Sequence, residues 1–457
     1  MIDFSDAEVG ESSIGSSPKG MSSKRIVLCL DGTWNSPFDE QKRDDGTTVL
    51  RPSNVLKVAR AVYPVASDGT PQLVYYDIGV GSLAKYPGLA NRLLARSDSW
   101  LGGGFAAGFE GNVEDALTFL AMNFVPGDEV FIFGFSRGAA TARAVTRFLQ
   151  WSGGVPRKAD AYYLPRLFRA YVMARGAQEA FAAEVATINR EKTKLNPLVP
   201  VEVTYLGVWD TVAALGSLAH LLRAKQTNVN RSFHIGDAPV PCVRKARHAI
   251  AVDEKRLDFP PEIWTRTSDP GQQMEQRWFA GVHSNVGGGY LKDGLANIAL
   301  RWILDGATGL EIDTGFIAFF PPLHSGTQNE SLTRTYQTLE WARGHKGQGV
   351  RELTGHPSTA NLELDASVIA RMMEPSVPFK SGKKDPEELR PYRPANVIRY
   401  LATQPNLAAY LAGIGVSGSL PQDVMAAIAA IRAATPSATP VTPQPAPAAL
   451  PPPASKP

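Results

Sequence analysis

Apolar positions in this chain recur in two rhythms. Short runs without polar interruption read as strands buried on both faces: Arg25 to Leu30, Leu73 to Tyr76, Val130 to Phe133, Val201 to Val208 and Gln276 to Val282. Between them lie stretches with helical spacing. Ser53 to Ala61 opens on a capping Ser53, Gly111 to Phe124 leads into the third strand, and Val243 to Asp253 reads as a further helix. Asp160 to Arg190 is amphipathic with a helix start or break at Pro165, and Ala296 to Leu304 carries Trp302. Strand alternating with helix predicts an α/β fold with a mainly parallel, doubly wound sheet. Beyond Pro321 the rhythm loosens. A helix at Leu332 to Ala342 and one or two within Asn396 to Ile431 make residues 321–433 a mostly helical C-terminal addition to a catalytic domain at 25–320. The helical stretch within 155–200 interrupts the sheet pattern and is a candidate cap over the site.

The most informative stretch is Gly127 to Arg143. A Pro-Gly-Asp turn at Pro126 to Asp128 precedes the apolar strand, and Gly134-Phe135-Ser136-Arg137-Gly138 follows it. Ala139, Ala140, Ala142 and Ala144 then favour helix. Strand, Gly-flanked turn and helix form the setting of a nucleophile elbow, in which a strained backbone lifts the serine hydroxyl from the sheet edge. Gly134 and Gly138 answer the need for close approach between strand and helix. The N–H of Arg137, at the helix start, is one oxyanion donor by position.

An activated serine needs a base and an acid that orients the base. The chain supplies Ser136, Asp210 and His283 in the order of an α/β-hydrolase, the latter two each directly after an apolar strand. Among seven histidines, His248 is the rival base, placed mid-helix by its pattern. Asp253 is the rival acid, in the charge cluster Asp253-Glu254-Lys255-Arg256. Gly287-Gly288-Gly289 after His283 allows close backbone approach. Gly32 or Thr33, on the polar loop Asp31 to Pro37, is the candidate second oxyanion donor, and Asp31 is the residue that would organise that loop.

Size and charge narrow the rest. With 457 residues and 44% hydrophobic content the chain can bury a large core. A net charge of +3, without a basic stripe interleaved with aromatics, argues against nucleic acid as a partner. No apolar run has the length of a transmembrane helix. Residues 1–24 read as a disordered leader without a signal-peptide core, which implies synthesis in the cytoplasm, and 434–457 as a Pro/Ala-rich solvated tail. Two cysteines, Cys29 and Cys242, give neither a disulfide framework nor a metal site, and no cofactor is expected.

Several motifs together carry a resemblance: Leu30-Asp31-Gly32-Thr33-Trp34-Asn35, Tyr76-Asp77-Ile78-Gly79-Val80-Gly81, Gly134 to Ala139, Val208-Trp209-Asp210-Thr211-Val212 and Trp278 to Ser284. From about Arg25 to Asp305 the chain resembles the α/β-hydrolase domain of bacteria and fungi that includes the first class of type VI secretion (Tle) phospholipase effectors. The resemblance implies Ser136 as nucleophile, Asp210 as acid and His283 as base, acting on membrane phospholipid. It also implies peripheral membrane contact, export by type VI secretion, and an immunity protein or secretion component as partner. Asn285 departs from the family pattern, which has Asp after the His-Ser pair. The alternatives are a carboxylesterase acting on non-lipid esters and a catalytically silent scaffold.

Overall fold

The apolar run before Ser136 becomes a central strand. In the computed structural model the described residues are 23–32, 40–42, 46–79, 103–191, 194–212, 232–257, 259–332, 349–382 and 385–434. Seven strands form the main sheet. They are β1 (Arg25–Leu30), β2 (Gln72–Asp77), β3 (Glu129–Phe135), β4 (Val203–Trp209), β5 (Val243–Ala251), β6 (Gln273–Phe279) and β7 (Leu362–Leu364). Their order across the sheet is β7-β6-β5-β4-β3-β1-β2, and every pairing is parallel.

A parallel sheet must be covered on both faces, and alternation along β1 shows how. Ile26, Leu28 and Leu30 join one core with Val145 and Phe148 of the helix after Ser136. Val27 and Cys29 join the other, with Val55 and Val58 of α1 (Asn54–Ala61). Ser53 caps α1 by accepting from the N–H of Leu56. The remaining principal helices of this part are α2 (Gly103–Asn123), α3 (Arg137–Ser152), α4 (Leu164–Met173), α5 (Glu179–Arg190), α6 (His283–Gly287) and α7 (Gly294–Gly306). After β1 the chain first winds outward to β2, then returns to lay β3 on the opposite side of β1. The crevice between β1 and β3 is thus the topological switch point, where open α/β sheets place their sites. The fold is α/β-hydrolase-like.

The structure departs from the pattern reading, or adds to it, at three places. Val243 to Asp253, expected as a helix, is β5. Its alanines favour helix, but tertiary context overrides them: the segment pairs in parallel with both β4 and β6 and buries Val243, Ala246, Ala249, Ile250 and Ala251 in the sheet. Pro165 does start a helix, α4. Yet α4 and α5 set Phe168, Tyr171 and Phe181 against Phe148 and Trp151. These contacts lie on the C-terminal half of α3, about three to four turns from Ser136. The stretch 321–433, expected as mostly helical, carries strands beside its helices among the described residues. It supplies β7 and a small sheet of Gln328–Asn329, Val377–Lys380 and Glu387–Arg390. It also carries helices α8 (Ala366–Met373), α9 (Ala395–Ala402), α10 (Leu407–Gly413) and α11 (Gln422–Ala434). Val368, Met372, Val397, Leu401 and Val424 share one core with Ile250 and Trp278 of the main sheet. The expected helix at Leu332 to Ala342, residues 1–22 of the expected leader and residues 435–457 of the expected tail lie outside the described residues.

Candidate active site

Ser136 sits between the end of β3 and the start of α3 with φ 58° and ψ −119°. A side chain in that region is strained by about 1–3 kcal/mol and persists only where its surroundings fix it. The fixing is visible: the Ser136 N–H donates to Trp209 O at 3.0 Å, and its carbonyl accepts from Ala140 N at 3.3 Å. The flanking glycines have no room for a side chain. A Cβ on Gly134 would lie 2.5 Å from Gly138 O, and one on Gly138 would lie 2.0 Å from Leu30 O.

His283 opens α6, just beyond β6. Its Nε2 lies 2.7 Å from Ser136 Oγ and its Nδ1 lies 2.6 Å from Asp210 Oδ2. Asp210 follows β4 directly and is wholly buried, with φ 39°. A carboxylate on Nδ1 places the ring proton there and leaves Nε2 to accept the Ser136 hydroxyl proton; the tautomer is assigned from these partners. The ring is held by Phe135, at 4.7 Å between centroids, and edge-on by Phe259 at 5.1 Å. The His283 backbone N–H donates to Glu254 Oε2 at 3.2 Å.

Electrostatics keep Asp210 charged and His283 neutral. Burial alone would push the Asp210 carboxyl up, but the Arg351 charge and the His283 hydrogen bond outweigh it and hold it below the usual carboxylate range. Burial pushes His283 below its ordinary value, and the bond to Asp210 offsets only part of that.

The two rival residues are engaged elsewhere. His248 lies on β5, wholly buried; its Nε2 accepts from the N–H of Thr211 at 3.1 Å and its Nδ1 faces Gln276 Oε1 at 3.3 Å. Burial pushes it down to about 3, so it stays neutral. Asp253 accepts from Gly281 N at 2.6 Å and from Tyr392 Oη at 2.8 Å. Asn285 braces a loop. Its Oδ1 accepts from the N–H of Asn329 at 3.0 Å and from that of Val282 at 3.4 Å, while its Nδ2 donates to Thr327 O at 3.2 Å.

Of the expected oxyanion donors, Arg137 is the first residue of α3, directly after Ser136. Gly32 needs a correction: its N–H donates to Asp31 Oδ1 at 2.7 Å, so that group serves the loop. Thr33 lies outside the described residues. Asp31 has the organising part read from the sequence. It is buried and also accepts from Tyr76 Oη at 2.8 Å and from Ser53 Oγ. That joins the β1 loop to the cap of α1.

Two side chains at the site went unread in the sequence. Arg351 forks onto Asp210, 141 positions away along the chain; nothing near Arg351 repeats a motif that would flag it. Glu254 was hidden in a charge cluster that looks like a solvated helix end. It is instead buried and paired with Arg256 at 2.9 Å, which holds its carboxyl at about 2 against the opposing effect of burial. Among the described residues no three His, Cys, Asp or Glu side chains are grouped to hold a metal ion. No helix among them is long and apolar enough to cross a membrane.

Comparison with known proteins adds a family. Residues 24–306 match the model described as type VI secretion system (T6SS), phospholipase effector Tle1-like, catalytic domain. The uncharacterized protein YEL023C of Saccharomyces cerevisiae is 26% identical over 261 residues, 56% of this chain and 35% of its own length. A crystal structure of an uncharacterized protein from Pseudomonas aeruginosa aligns over 90% of this chain and 62% of its own, with 16% identity and a TM-score of 0.38. The structure of the Tle1 effector bound to the VgrG spike of the type VI secretion system aligns over 63% of this chain and 56% of its own, with 20% identity and a TM-score of 0.32. The chain thus spans about a third of the yeast relative and less than two thirds of either solved chain.

Proposed function

The chain belongs to the Tle1-like family of type VI secretion phospholipase effector catalytic domains, and we propose that it is a serine hydrolase cleaving a carboxylic ester of a phospholipid. The observation that carries the mechanism is the unbroken hydrogen-bonded line from Ser136 Oγ through His283 to Asp210. Family membership carries the substrate class.

The chemistry follows from that line. Ser136 Oγ attacks the ester carbonyl carbon as His283 Nε2 takes its proton. Asp210 holds Nδ1–H and stabilises the imidazolium. The carbonyl oxygen becomes an oxyanion, stabilised by the first N–H groups of α3, that of Arg137 first among them. Collapse expels the lysophospholipid alkoxide, which takes the proton from His283, and leaves the acyl group on Ser136. Water then attacks the acyl-enzyme, giving its proton to His283. The fatty acid leaves as Ser136 regains that proton. Delivery to a target membrane by a secretion component, with an immunity protein in the producing cell, follows from the effector family as part of the same proposal.

The test exposes mixed phospholipid vesicles, and separately short-chain nitrophenyl esters, to wild type and Ser136→Ala. Fatty acid and lysophospholipid from the vesicles, absent with Ser136→Ala, are the expected products by mass spectrometry. Turnover of the nitrophenyl esters alone would replace the phospholipase reading with a general carboxylesterase.

A further inference from the structure

The matched family region ends at residue 306, yet Asp210 is held by a side chain from beyond it. Arg351 is 6% exposed. Its Nη1 lies 2.5 Å from Asp210 Oδ1 and its Nη2 lies 3.0 Å from Oδ2, a two-pronged pairing that only arginine offers. The same two nitrogens donate to Ala251 O and to Phe259 O, each at 2.8 Å. Ala251 ends β5, and Phe259 is the residue whose ring meets His283. The Arg351 carbonyl in turn accepts from Asn396 Nδ2 on α9 at 3.0 Å, and that amide also reaches Val252 O at 3.0 Å.

We propose that Arg351 is a positioning residue of the hydrolase, fixing the Asp210 carboxylate so that Oδ2 faces His283, and that the C-terminal segment is thereby part of the active site. This rests on the serine chemistry proposed above. The hydrogen bonds give the reason. Asp210 Oδ1 is filled by Arg351 and by the N–H of Ala251 at 3.0 Å, which leaves Oδ2 for His283. Without Arg351 a buried carboxylate loses the cation that offsets its desolvation and the fork that sets its rotation.

Charge makes the role separable from mere packing. Asp210, Glu254 and Arg256 act on His283 directly, with Arg351 on the far side of Asp210 and Tyr290 facing the Glu254–Arg256 pair. Arg351 neutralises part of the Asp210 charge that stabilises protonated His283. Its removal therefore lets His283 hold its proton to higher pH.

The experiment measures the second-order rate of fluorophosphonate labelling against pH on full-length wild type, Ser136→Ala, Arg351→Met and Arg351→Lys. Rates are scaled to the folded fraction from circular dichroism. Wild type is expected to label and Ser136→Ala not. Arg351→Met is expected to label at least about tenfold more slowly, with its acid midpoint raised by about half a pH unit or more, and Arg351→Lys to fall between. If Arg351→Met does not fold, Arg351→Lys gives the same readout. A folded variant with the wild-type rate and midpoint overturns the positioning role alone. Unlabelled wild type overturns the serine chemistry and this role with it.

Discussion

The carbonyl oxygen of Leu30 stands 2.0 Å from where a Cβ of Gly138 would lie. Backbone of β1 thus fills the space under the first turn of α3, and the elbow closes only because residue 138 has no side chain. Gly138→Ala is expected to lower stability by more than about 3 kcal/mol, since backbone rather than a flexible side chain must yield. Gly111→Ala is the control: it lies within α2, has nothing within 4 Å of its added methyl, and should be neutral or slightly stabilising by helix propensity. Thermal unfolding of both decides; equal melting temperatures would contradict the account.

Asp210→Asn should lower kcat by about three to four orders of magnitude, because an amide no longer enforces the tautomer that leaves Nε2 free to accept. Steady-state kinetics on folded protein check it. A loss of only a few-fold would mean that His283 does not depend on this partner.

The pH profile has a definite sign. Burial lowers His283 below its ordinary 6.5, so the ring remains a neutral base until the pH falls below that value. The acid limb of kcat/KM is expected to have its midpoint under 6.5, and a midpoint of 7 or above would contradict the burial and pairing described.

Asn285 offers a test of the family departure. Its Nδ2 donates to the carbonyl of Thr327, which a carboxylate oxygen cannot do. Asn285→Asp is therefore expected to destabilise the fold by about 1–3 kcal/mol and not to raise kcat. A more active, equally stable variant would show that Asn285 limits catalysis.

Glu254 links the site to acid stability. Its folded carboxyl is held at about 2 against 4.5 for the free group. The stability it contributes is full above 4.5 and is lost as pH falls from there toward 2, on the order of 3 kcal/mol. Glu254→Gln should flatten melting temperature against pH across that window, and an unchanged slope would show that the pair with Arg256 contributes little.

Much of this geometry was legible in the chain because it is local. The strand before Ser136, its flanking glycines and the strand ends at Asp210 and His283 all carry short-range signals, and the parallel order follows from alternation. What the sequence concealed depends on distance. Arg351 reaches Asp210 only through the fold. The helix-favouring alanines of Val243 to Asp253 become a strand because the segment is buried and paired between β4 and β6. Glu254 reads as solvated because its cluster mates are charged, yet it is buried and accepts from the backbone N–H of His283. Gly32 qualifies by position alone, and the Asp31 carboxylate already accepts from its N–H.

The proposed mechanism requires a covalent intermediate on Ser136, activated by His283 and Asp210. Intact-mass analysis after a fluorophosphonate, on wild type beside Ser136→Ala, tests it most directly. One adduct is expected on wild type, mapped to the peptide bearing Ser136, and none on Ser136→Ala. An adduct of equal extent on both proteins, or none on folded wild type, would contradict it.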